Sequence, residues 1–192
     1  MLIVCAINLF MSSMIIVGLP YLVTEVLDFD SVWANQLCGF AQGALAVGGL
    51  AGGVCAGVFG KRLNIQKAGN LLAVCALTVF PMGISLMLFS LAELNYIVIT
   101  VCCMIIMAFS TIFTIQMMSF VQTETPQNLI GKVYSVILTV CMCAQPVGSA
   151  LYGFLFELSG GFEYTVVLFA GVASLIVALC TKGIYKMLPK TT

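Results

Sequence analysis

The chain has 192 residues, 62% of them hydrophobic and 7% charged, with seven basic and seven acidic side chains, no histidine and a net charge of zero. Its mean hydropathy is +1.18. Soluble domains carry roughly 25% charged residues, so a soluble globular fold is excluded, and seven bases scattered over short loops form no stripe for nucleic acid.

A bilayer core of about 30 Å needs about 20 apolar residues per helix, and the apolar runs predict six spans that nearly exhaust the chain. Span 1 is predicted at 2–24. It lacks the basic n-region and small-residue cleavage site of a signal peptide and reads as a retained helix. An acidic loop at 25–31 leads to span 2 at 32–60, and a basic loop at 61–67 leads to span 3 at 68–90. Span 4 is predicted at 95–121, followed by a polar loop at 122–128, span 5 at 129–156, a turn at 157–163 and span 6 at 162–185. A short basic tail closes the chain. The runs are continuous and far longer than the roughly ten alternating residues of a transmembrane strand. Lipid also demands that each segment satisfy its own backbone. The expected fold is therefore an all-α membrane protein, a single transmembrane domain over 1–192.

The charges orient it. Lys61, Arg62 and Lys67 lie between spans 2 and 3, Lys132 between spans 4 and 5, and Lys182, Lys186 and Lys190 at or beyond the end of span 6. Six acids occupy the alternate gaps: Glu25, Asp28, Asp30, Glu93, Glu157 and Glu163. Only Glu124 sits on the basic side. Short cytoplasmic loops retain Lys and Arg during insertion, so both termini are expected in the cytoplasm.

Within the spans, small and polar residues are unevenly placed. Span 2 carries Gly49, Gly53 and Gly57 at intervals of four, and Gly48, Gly52 and Ala56 likewise, a ridge on which another helix backbone can approach closely. Span 5 carries Pro146, Gly148 and Gly153; Pro20 and Pro81 interrupt spans 1 and 3, and a proline inside a helix removes one bond and favours a kink. Polar side chains concentrate in spans 1, 2, 4 and 5. Single Ser and Thr hydroxyls are expected to bond back to their own helices. The amides of Asn8, Gln42, Gln116 and Gln145 need partners or water and are the candidates for an interior cavity, with spans 3 and 6 towards lipid. The nine cysteines lie in apolar runs without C-x-x-C spacing and without a histidine to complete a zinc shell, so they read as small core residues. No metal or other cofactor is expected.

The order of these features resembles the C-terminal half of a major facilitator superfamily transporter. Gly53-Val-Cys-Ala-Gly57-Val-Phe-Gly60-Lys61-Arg62 is similar to that family's glycine-plus-basic loop between helices 8 and 9, although Gly57 and Val58 stand where an Asp is frequent. Thr125-Pro126 through Gly131-Lys132-Val133-Tyr134-Ser135 is similar to the loop entering helix 11, and Pro146, Gly148 and Gly153 continue that pattern. The resemblance spans nearly the whole chain and half the family's usual length, and it is closest to the macrolide and multidrug efflux branch. It implies 3+3 inverted repeats and secondary efflux of small amphipathic molecules across a bacterial cytoplasmic membrane by alternating access. It also implies a partner, either an N-terminal six-helix half or a second copy. On this reading Gly57, Gly60, Lys61, Arg62, Gly131 and Lys132 act at the cytoplasmic gate. Two other readings stand beside it: a non-transporting membrane subunit or degenerate fragment, and an intramembrane enzyme. The second is disfavoured because the chain has no histidine for a Ser–His dyad, no paired membrane carboxylates and no metal-ligand cluster.

Overall fold

The computed structural model describes residues 2–27, 29–59, 68–89 and 91–187. Every element among them is helical, and six helices are long and apolar enough to cross a membrane: Cys5–Val26, Ser31–Phe59, Gly69–Leu88, Ala92–Glu124, Ile130–Ser159 and Glu163–Gly183, here spans 1 to 6. Span 4 is longer than its apolar run. Glu93 lies in its first turn and Glu124 ends it, because the next residue, Thr125, precedes Pro126 and is extended at φ −98° and ψ 130°, the conformation a following proline favours. Span 5 likewise runs past the expected 156 to Ser159 and takes Glu157 into its last turn. Two left-handed glycines then turn the chain, Gly160 at φ 51° and Gly161 at φ 106°; a residue with a Cβ is strained there.

Span 1 is not a uniform α-helix. It widens to π geometry at Asn8–Ser12 and again at Leu22–Val26, with α-helix at Ser13–Tyr21 between them. The second widening begins just after Pro20, which has no N–H for the Ile16 carbonyl. The Thr24 hydroxyl covers the Pro20 carbonyl at 3.0 Å, a group whose α-helical partner would have been the Thr24 N–H.

Span 1 packs on span 5, span 2 on span 4, and span 3 on both span 6 and span 4. Large side chains fill most of this core: Met14, Leu19 and Leu22 of span 1, Tyr152 and Phe156 of span 5, Ile99, Ile106 and Phe113 of span 4, and Val79 and Met82 of span 3. Span 2 instead buries Ala34, Cys38, Ala41, Gly48, Gly52 and Ala56. Of its two small-residue stripes, the one that carries the close contact is Gly48 and Gly52. A Cβ on either would collide with a backbone carbonyl of span 4, that of Met104 or Ala108 respectively. Gly49 and Gly53, expected to pack in the same way, make no such close approach within the chain. Gly49 would meet only the Thr111 hydroxyl at 3.7 Å, and Gly53 would meet nothing within 4 Å, because they lie about 100° further round the helix. In span 5, Gly148 lies tight against Leu9 and Ser13 of span 1 whereas Gly153 faces open space, and Pro146 is exposed on the helix surface.

Hydroxyl groups fix the seam between spans 1 and 5. Ser13 Oγ lies 2.9 Å from the Asn8 carbonyl and 3.0 Å from that of Gln145. The fully buried Tyr152 donates its hydroxyl to the Phe10 carbonyl at 2.8 Å. Phe10 belongs to the first π segment, so the Tyr152 hydroxyl ties that irregular stretch to span 5. Most other hydroxyls bond within their own helices, as Thr78, Thr139 and Thr181 do to Cys75, Ser135 and Val177.

Candidate functional site

Midway along the bundle a groove of about 400 Å³ opens between spans 1 and 4. Span 1 contributes Asn8, Met11, Ser12, Ile15 and Ile16. Span 4 contributes Ile106, Met107, Ser110, Thr111, Thr114 and Ile115, with Leu45 of span 2 and Gln145 of span 5 at the sides. Spans 3 and 6 contribute nothing to it. The lining is apolar with hydroxyls and amides and holds no charged group. Thr111 and Thr114 donate to the Met107 and Ser110 carbonyls at 2.8 and 2.9 Å, which leaves their oxygens as acceptors. The volume lies within the roughly 300–1,000 Å³ of small-molecule pockets, and so does the chemistry, an apolar wall with a few placed polar groups.

The structure brings together two of the four amides singled out from sequence. Asn8 enters the groove from the π segment, and Gln145 reaches it from beside Pro146 because the Ser13 bridge ties its backbone to span 1. Gln42 is elsewhere: it is exposed on span 2, with its amide nitrogen 3.5 Å from the Cys38 sulfur one turn earlier. Gln116 is also outside the lining, and its amide nitrogen and oxygen are both buried without a hydrogen-bond partner. A buried, unpaired polar group costs about 1–3 kcal/mol. Gln116→Met, of similar length, is therefore expected to raise the thermal midpoint of the detergent-solubilised protein. A lowered midpoint would show that the amide is needed for folding. The apolar lining residues carry no sequence mark that separates them from ordinary packing, whereas Ser12, Ser110, Thr111 and Thr114 stand out only as a polar concentration in spans 1 and 4.

At the ends of the bundle, Gly57 and Gly131 are exposed, and a Cβ on either would meet nothing within 4 Å. Lys132 is exposed in the first turn of span 5. Gly60, Lys61 and Arg62 lie outside the described residues. Glu25, Asp30, Glu93, Glu157 and Glu163 fall at one end of the alternating helices, and Lys132, Lys182 and Glu124 at the other. The described cysteines are free thiols, with Cys38, Cys75, Cys102, Cys103 and Cys141 buried. Among the described residues no group of three or more His, Cys, Asp or Glu side chains could hold a metal ion. No family model, curated protein or solved structure matches the chain.

Proposed function

We propose that the chain is one six-helix half of a major facilitator-type transporter, moving small amphipathic molecules outward by alternating access, with its groove forming one wall of the substrate path. The observation that carries this reading is the groove itself: mid-depth, uncharged, and lined by spans 1, 2, 4 and 5 alone. The helix pairing supports a three-plus-three arrangement. Exchanging spans 1–3 with spans 4–6 turns the 1–5 pair into 2–4, leaves 3–6 unchanged, and turns 3–4 into 1–6, which also touch. The groove is open on one side, and a second six-helix body, either a separate N-terminal half or another copy, closes it. The basic end faces the cytoplasm with both termini. The absence of charge in the groove suits neutral or weakly polar cargo, and any coupling acid belongs to the partner body.

The test is efflux of a neutral amphipathic dye, Nile red, from loaded cells that express the full chain. Expression should speed dye loss. Asn8→Leu combined with Gln145→Leu should return the rate to that of empty cells while the membrane level of the protein is unchanged. If expression does not alter dye loss, and the purified protein runs only as the 20.5 kDa monomer, the transporter reading fails.

A further inference from the structure

A second cavity, of about 520 Å³, lies at the acidic end of the bundle, away from the groove, lined by Phe29, Trp33, Leu37, Glu93, Tyr96 and Ile97. We propose that this cavity is a binding site for a methylated ammonium group, of the kind carried by choline, with the aromatic rings around the cation and Glu93 as its counter-charge. Three aromatic side chains, from the approach to span 2, span 2 itself and span 4, line it together with one carboxylate. Phe29 and Tyr96 stand edge to face, at 6.4 Å between centroids and 89° between planes. A methylated ammonium offers a diffuse positive charge with an apolar surface and no proton to donate, and aromatic faces within about 6 Å are what attract it. Leu37 and Ile97 extend the lining with aliphatic surface that suits the carbon chain next to such a head group.

The arrangement differs from the aromatic belt that membrane proteins place at the lipid interface. In a belt, a tyrosine turns its hydroxyl to the water and head groups. Here Tyr96 donates its hydroxyl to the Leu37 carbonyl of the neighbouring span at 2.9 Å, which fixes the ring as a wall of the cavity. Glu93 is exposed in the first turn of span 4, where the helix dipole favours a negative side chain. Among the described residues the other charges at this end, Glu25, Asp30, Glu157 and Glu163, are all acidic. No described base is placed to neutralise Glu93, and the local field draws cations in.

The site carries its own reporter, because Trp33 is the chain's one tryptophan and is 60% exposed. Tetramethylammonium titrated into the full chain, purified in a maltoside detergent that contains no choline, should change the Trp33 emission saturably. Glu93→Gln, an exposed and nearly isosteric change that spares the core, should weaken the apparent affinity at least tenfold. Nanodiscs separate the two sources of the ligand. If tetramethylammonium titrates in phosphatidylglycerol discs but its response is suppressed in phosphatidylcholine discs, the occupant is a lipid head group. Equal titration in both assigns the site to a soluble cation. An emission that does not saturate, or a Glu93→Gln protein that titrates like the wild type, overturns the proposal. The result is independent of dye efflux, so the two readings stand or fall separately.

Discussion

Gly52→Ala is expected to force spans 2 and 4 apart and to destabilise the bundle by about 1–3 kcal/mol, the range for overpacked cores. The added methyl would overlap the Ala108 carbonyl oxygen and lie 2.9 Å from the carbonyl carbon and the Cα of the same residue. These are backbone atoms of a continuous helix, so no side chain can swing away. Gly48 repeats the contact one turn earlier against Met104, so relief at one position lifts the seam at both, and a gap of roughly 0.5–1 Å forfeits a quarter to a half of the dispersion energy of each contact across it. Alanine also favours helix by up to about 1 kcal/mol over glycine, which offsets part of the loss. Gly53→Ala supplies the control, since it gains the same helix propensity and meets nothing within 4 Å. Thermal unfolding can be followed by a thiol-reactive dye once the exposed Cys55, Cys143 and Cys180 are blocked, because Cys103 of span 4 is 1% exposed and reacts only when the bundle opens. Gly52→Ala should melt well below Gly53→Ala; equal midpoints would show that the close approach does not limit stability.

The second large effect is expected at Gly148. Its Cβ would strike the Leu9 carbonyl and the Ser13 hydroxyl and lie 2.8 Å from Ser13 Cβ. Gly148→Ala therefore displaces the Ser13 side chain, which bridges the Asn8 and Gln145 carbonyls. Stability should fall by about 1–3 kcal/mol. On the proposed transport reading, dye efflux should fall with it, although Gly148 is not part of the groove lining, because Asn8 and Gln145 lose their common anchor. Adding Ser13→Gly to Gly148→Ala removes half of the collision and leaves the Leu9 carbonyl in place. The double variant should recover part of the lost melting temperature, and the coupling is measured by the double-mutant cycle. Strict additivity would mean that the two residues do not meet.

The span number, the order of the spans and the location of most boundaries are legible in the chain, because lipid requires long apolar runs and nothing else in this composition competes with them. Boundaries set by local chemistry are less visible from hydropathy. Span 4 continues through Gln122 and Thr123 to Glu124 because a helix can run on into water until Pro126 stops it, and Glu157 is helical because the turn waits for Gly160 and Gly161. The two glycine stripes of span 2 are equally small, and only the position of span 4 distinguishes them. The same holds for the amides. Asn8, Gln42, Gln116 and Gln145 are alike as polar residues in apolar runs, yet two face a shared groove and two do not, a difference set by which helices become neighbours. The π segments of span 1 have no compositional signature beyond Pro20. The aromatic cavity joins Trp33 to Glu93 and Tyr96, and only the pairing of spans 2 and 4 brings these distant positions together.

The pairing of the spans has a consequence for biogenesis. Each extensive helix contact, 1 with 5, 2 with 4, 3 with 6 and 3 with 4, joins a member of the first three spans to a member of the last three. A nascent chain that has inserted three helices thus holds them side by side in lipid without their final partners, the backbone carbonyl of Phe10 still waiting for the Tyr152 hydroxyl of span 5 to meet it from outside the helix. Span 4 is the first arrival that can capture two earlier helices at once, and spans 5 and 6 then close the bundle from either side. The interval before span 4 emerges is when this protein is most open to degradation or to pairing with the wrong neighbour.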